Sequence, residues 1–117
     1  MKLTAELEQK IIRKADEMGV DTHYVQKQLD FIKKRKNEIK GVWSLRNWMW
    51  IATEQSTKGT WFGVVFSPFV DSEWGSWYVG EPEKQGAVTV VKPEYRWKMS
   101  DEKMRKEREM RKLMGLS

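Results

Sequence analysis

Six of the seven tryptophans, Trp43, Trp48, Trp50, Trp61, Trp74 and Trp77, crowd into residues 42–92, where charge is also thinned out. That stretch holds four Lys/Arg against five Asp/Glu; residues 1–41 hold ten against seven, and residues 93–117 hold eight against five. The chain is therefore a near-neutral aromatic centre between two basic ends, with net charges of +3, −1 and +3 along it. Indoles bury large apolar areas, so the centre is the part that must supply a core.

At 117 residues the chain fits one domain, close to the commonest size of ~100–150 residues. An aromatic fraction of 12% separates it from disordered chains, which lack the rings to build a core. With no Cys there is no disulfide, no cysteine nucleophile, no iron–sulfur cluster and no cysteine-based zinc site. The single histidine, His23, argues against a His-rich metal centre or a His-based triad. No apolar run approaches the ~20 residues that span a bilayer. The opening MKLTAELEQK lacks the apolar core of a secretory signal. The expectation is a soluble, cytoplasmic protein with no membrane association and no cofactor.

The first segment has helical spacing. Thr4 suits an N-cap, Glu6 and Glu8 suit the positive end of the helix dipole, and Leu7, Ile11, Ala15 and Met18 form one stripe. Gly19 supplies a left-handed stop. Asp21 caps a second helix, with Val20 and Val25 as a hydrophobic staple, Val25, Leu29 and Ile32 on its apolar face, and Gly41 suited to its end. Two helices joined this tightly form an αα-hairpin.

Residues 42–56 carry Leu45, Trp48, Met49 and Ala52 at i, i+3, i+4 and i+7, which predicts a third helix capped by Ser44. From Gly59 the pattern shifts to extended runs. Thr60 to Phe66, Trp74 to Val79 and Ala87 to Val91 read as three strands, broken by Ser67-Pro68 and by the loop from Gly80 to Gly86. Such short connections imply antiparallel pairing. Ser100 then caps a last helix with Asp101 and Glu102 in its first turn, Arg111 and Lys112 in its last, and a thin stripe of Met99, Met104, Met110, Leu113 and Met114. The predicted class is α+β: an N-terminal helical hairpin of two or three helices on a small antiparallel three-stranded sheet, with a C-terminal basic helix. Residues 1–98 form the domain and residues 99–117 the helix or arm.

No catalytic constellation is present, and the glycines are too isolated for a phosphate-cradling loop. Asp71 and Glu73 are read as a solvated loop and His23 as an exposed polar residue, so the chain is not expected to be an enzyme. The strongest functional signal is the run Lys33-Lys34-Arg35-Lys36 with Lys27, Lys40 and Arg46 nearby, because phosphate backbones attract such clusters. Four consecutive helical residues fan around ~400°, however, so only part of the run faces any one surface. Lys33, Lys36 and Lys40 form one expected face and Lys27 with Lys34 another. Trp48, Trp61 and Trp77 are expected in the core, and Trp43, Trp50 and Trp74 partly exposed beside charged or small residues. Exposed aromatics stack on unpaired bases.

The leading expectation is thus a non-enzymatic, nucleic-acid-associated accessory or regulatory protein. Lys27, Lys33, Lys34, Lys36, Lys40 and Arg46 would meet phosphate, and Trp43 and Trp50 would meet bases. The alternative is an adaptor or inhibitor of a larger, nucleic-acid-processing complex. It would use Trp74 and the tail residues Arg105, Arg108, Met110, Arg111 and Met114, and the tail helix also offers a route to homo-oligomers. Glu107–Arg111 pairing at i and i+4 would neutralise part of that tail.

Overall fold

The caps expected of the two N-terminal helices are formed. In a computed structural model, which describes residues 1–96 and 101–115, Thr4 Oγ1 accepts the Leu7 N–H at 3.2 Å and opens helix α1, Ala5–Glu17. Gly19 ends it with a φ of 78°. The Asp21 carboxylate accepts the His23 N–H at 2.9 Å and opens α2, Thr22–Arg35. This second helix stops earlier than Gly41. Asn37 takes a left-handed φ of 51°, and its N–H reaches the Ile32 carbonyl at 2.6 Å. Lys40 therefore lies off the helix.

The expected third helix is two strands. β1 (Gly41–Leu45) and β2 (Trp48–Thr57) pair antiparallel, with Leu45 opposite Trp48 and Gly41 opposite Ala52. The turn between them is Arg46-Asn47, and Asn47 adopts a φ of 66°, a conformation Asn accepts more readily than most residues. Ser44 caps nothing; its hydroxyl donates to the Trp48 carbonyl across the hairpin at 3.1 Å. Helical spacing misleads here because both sides of these strands are buried, so apolar residues run on without the alternation that marks a half-exposed strand.

Three further strands complete the sheet: β3 (Thr60–Phe66), β4 (Glu73–Tyr78) and β5 (Val88–Val91). The order is β4-β3-β2-β1-β5 and every pairing is antiparallel, so the class is α+β but the sheet has five strands, not three. Gly63 permits the close approach of β3 to β2: a Cβ there would sit 1.9 Å from the Ile51 carbonyl oxygen.

Each face of the sheet has its own chemistry. Val42, Met49, Ile51, Val64, Phe66, Val90 and Val91 face the helices and pack with Ile11, Ala15, Val25, Leu29 and Ile32. The other face is an aromatic cluster of Trp43, Trp50, Trp61 and Trp77 around Ala52. Trp43 stands edge-on to Trp77, with rings 6.3 Å apart at 88°, and Trp61 meets Tyr95 at 5.3 Å. The indole N–H groups of Trp43, Trp61 and Trp77 have no hydrogen-bond acceptor among the described residues. Edge-to-face packing is the geometry in which an N–H can meet a π cloud instead.

An irregularity in β2 between Ala52 and Glu54 shifts the register by one residue. Side chains beyond it change faces, so Gln55 joins the tryptophan side opposite Trp61, and Glu54 turns toward the helices opposite Phe62. Gln55 Oε1 accepts the Arg96 N–H at 2.6 Å, fastening the segment after β5 over the aromatic cluster.

Gly80 to Gly86, expected as a loop, includes one short helix, α3 (Glu81–Lys84). The tail forms α4, Asp101–Leu113. Arg111 sits 5.3 Å from the Tyr78 ring and Arg108 lies against Gly80, while Met110, Leu113 and Met114 are exposed. Met99, Ser100 and the side chains of Asp101, Glu102, Met104 and Glu107 lie outside the described residues, as does Trp97. No described helix is long and apolar enough to cross a membrane.

Candidate nucleic-acid interface

The fold redistributes the expected binding residues. Trp43 and Trp50 are buried, at 1% and 4% exposure, and are unable to stack on a base. They flank turns and charged residues in sequence, but β1 and β2 are inner strands and both side chains point into the aromatic cluster. Trp48, expected in the core, is only half-buried: it stacks on Trp50 at 5.7 Å and touches the exposed Phe69 at 6.3 Å. Trp74 is partly accessible.

The expected Lys33–Lys36–Lys40 face does not exist. Lys33 Nζ sits 2.6 Å from the Glu8 carboxylate, which also accepts a hydrogen bond from Gln26. That contact holds the Glu8 carboxyl below its ordinary range, and the same bond raises the Lys33 ammonium. Lys36 lies 3.6 Å from Glu54 and 5.8 Å from the Phe62 ring. Lys40, past the end of the helix, bonds Glu38 at 2.5 Å. Arg46 is exposed in the β1–β2 turn. Glu54, the partner of Lys36, lies six residues along β2 from Trp48, roughly 20 Å at ~3.3 Å per residue. Arg105, Arg108 and Arg111 are exposed on α4 with Met110 and Met114, apart from the α2 cations in sequence and element.

What the fold does assemble is a different face of α2. Lys27, Phe31 and Lys34 stand at i, i+4 and i+7 and share one exposed side, with Arg35 beside them. Neither Lys27 nor Lys34 forms an ion pair among the described residues. Phe31 is 44% exposed among these three cations, and the Arg35 guanidinium lies 5.6 Å from its centroid.

The ring is backed by an aromatic ledge. Phe31 meets Trp74 of β4 edge-on at 5.6 Å, and Trp74 meets Phe62 of β3 at 5.9 Å. Gln28, one turn before Ile32 on α2, locks the ledge: its amide oxygen accepts the Trp74 indole N–H at 3.0 Å and its amide nitrogen donates to Ser72 at 3.1 Å. Nearby, the Asp71 carboxylate pushes the Tyr24 hydroxyl above its ordinary range. The sequence points to Lys27 and Lys34, and to Arg35 as part of the basic run, but not to Phe31 or Phe62 as site residues. The signal was there, an aromatic placed between cations at helical spacing, but the neighbouring tryptophans drew the stacking role.

A second cationic surface also escaped the sequence reading. Lys10, Arg13 and Lys14 of α1, at i, i+3 and i+4, line an open groove of about 600 Å³ with Glu17 and with Val88, Thr89 and Val90 of β5. No group of three or more potential metal ligands is present among the described residues. No protein-family model, curated protein or solved structure matches the chain.

Proposed function

We propose that this protein is a non-enzymatic, nucleic-acid-associated accessory protein that holds single-stranded nucleic acid on the exposed face of α2. The observation that carries the reading is the half-exposed Phe31 ring, set between Lys27, Lys34 and Arg35 and braced from behind by Trp74. An unpaired base stacks on an exposed ring whatever its identity, at ~1–3 kcal/mol per base, while flanking cations track the phosphates. A single strand suits this ledge better than a duplex, whose bases are already stacked on one another.

The test is anisotropy of a labelled oligothymidylate against salt. Three cations on single-stranded phosphate give a slope of log affinity against log salt of roughly −2, taking ~0.7 per contact. Affinity should then fall roughly 20-fold between ~50 and ~200 mM salt. Reversing Lys27→Glu together with Lys34→Glu should flatten the slope by ~1.4. Absence of binding at ~50 mM salt, or a slope unchanged by the double reversal, removes the reading.

A further inference from the structure

The second cationic surface has a geometry that the α2 face lacks: it runs beside an open strand. β5 is an edge of the sheet, paired on one side with β1, so its other side presents main-chain N–H and C=O groups that no strand among the described residues meets. The edge is four residues long, about 13 Å at ~3.3 Å per residue. Val88 and Thr89 are exposed on it, with Val88 at 49%. Natural sheets protect such an edge by keeping it short or by placing a charge or a proline on it; β5 is short and is followed by Lys92-Pro93, but Val88–Val91 itself holds neither a charge nor a proline.

Along this edge, Lys10, Arg13 and Lys14 of α1 form the facing wall of the groove. None of the three has an ion-pair partner among the described residues, and the one carboxylate on the wall, Glu17, stands one turn beyond Arg13 and Lys14, leaving a net charge of +2 along it. The opposite edge, β4, offers no such arrangement: it carries the acidic Glu73, and its Tyr78 lies beneath Arg111.

We infer that the α1–β5 groove is a docking site for an extended acidic segment of a partner protein, which adds to β5 as a sixth strand. The partner's main chain would bond the β5 edge, giving affinity that depends little on its sequence. Its alternate side chains would project toward α1, where carboxylates meet Lys10, Arg13 and Lys14 and give the selectivity. A nucleic-acid strand satisfies the cations but leaves the amide edge unmatched, which is why a peptide fits better. The site is independent of the α2 face and uses none of its residues.

The probe is a fluorescein-labelled Glu-Val-Glu-Val-Glu-Val-Glu peptide, read by anisotropy on the full chain at low salt. Binding is expected, and Lys10→Glu with Arg13→Glu should weaken it at least ~10-fold, as should exchanging every Glu of the peptide for Lys. Because substitutions in the groove also touch the fold, the deciding comparison alters the peptide alone. N-methylation of alternate residues in one register should weaken binding at least ~10-fold and in the other register should not, since only one set of amides faces β5. Equal binding of both N-methylated registers would reduce the groove to a plain anion site and overturn the proposal. Displacement of the peptide by oligothymidylate, or no binding up to ~1 mM, would overturn it too.

Discussion

The lysines and arginines of α1 and α2 look alike in sequence and are placed differently by the fold. α2 carries the denser run, yet Lys33 is held by Glu8 and Lys36 by Glu54 and Phe62. α1 carries a sparser set, and Lys10, Arg13 and Lys14 form no ion pair among the described residues. Charge density along a chain is therefore a poor guide to charge available at a surface. A helix sends consecutive residues in all directions, and those sent toward the body find acids waiting there. The neighbours then decide the use: an aromatic ledge beside the free α2 cations, a bare strand edge beside those of α1.

The largest effect expected is one that should abolish the comparison altogether. Trp61 is fully buried in the aromatic cluster on the sheet that carries both surfaces. Trp61→Ala should cost about 3–5 kcal/mol of unfolding free energy, seen as a lower denaturant midpoint, and both binding activities should be lost together where the variant unfolds. Retention of full stability would mean that the aromatic cluster on that face of the sheet does not act as a core.

Phe31→Ala should separate the two surfaces. Its ring is exposed, so stability should change little, while oligothymidylate affinity should drop by about 1–3 kcal/mol, roughly 5- to 150-fold. Peptide binding in the α1–β5 groove should be unaffected. Equal losses for both ligands would show a single shared site.

The paired cations should behave as structure. Lys33→Ala should leave oligothymidylate affinity within about twofold, because its ammonium is already engaged with Glu8. Glu8→Gln, on the buried side of that pair, should cost about 1 kcal/mol of stability. A binding loss at Lys33 as large as that at Lys34 would contradict the division drawn between them.

The smallest effect is a pH dependence. Glu8 is held below its ordinary 4.5, so its stabilising contribution is complete above that value and fades as pH falls through the lower folded-state value. Lys33 is raised above its ordinary 10.5, so its share is complete below that value and fades as pH rises through the higher one. Urea midpoints measured on acidification should therefore decline less steeply for Glu8→Gln than for the parent chain.

What could be read from the sequence was whatever local chemistry determines. Thr4 and Asp21 announce their helices because a cap is a bond between near neighbours. Residues 60–66 read as a strand because they are rich in aromatic and β-branched residues, which favour extended backbone. Residues 42–56 were misread because burial on both sides erases the period-two signal, leaving the Arg46-Asn47 turn as the sole local hint. The site was half legible. Lys27 and Lys34 follow from helical spacing, but Phe31 becomes a platform only when Trp74 arrives from a strand more than forty residues away. Likewise the β2 register shift that brings Glu54 to Lys36 is a property of strand pairing, invisible in either residue.

The most direct test is a two-dimensional amide and indole NMR titration with oligothymidylate. Shifts should concentrate on residues 27–35 and on the Trp74 indole N–H, which Gln28 holds beside Phe31. The buried indoles of Trp43, Trp61 and Trp77 should stay in place. Shifts confined instead to Lys10, Arg13, Lys14 and residues 88–90, with the Trp74 indole unmoved, would contradict binding on α2.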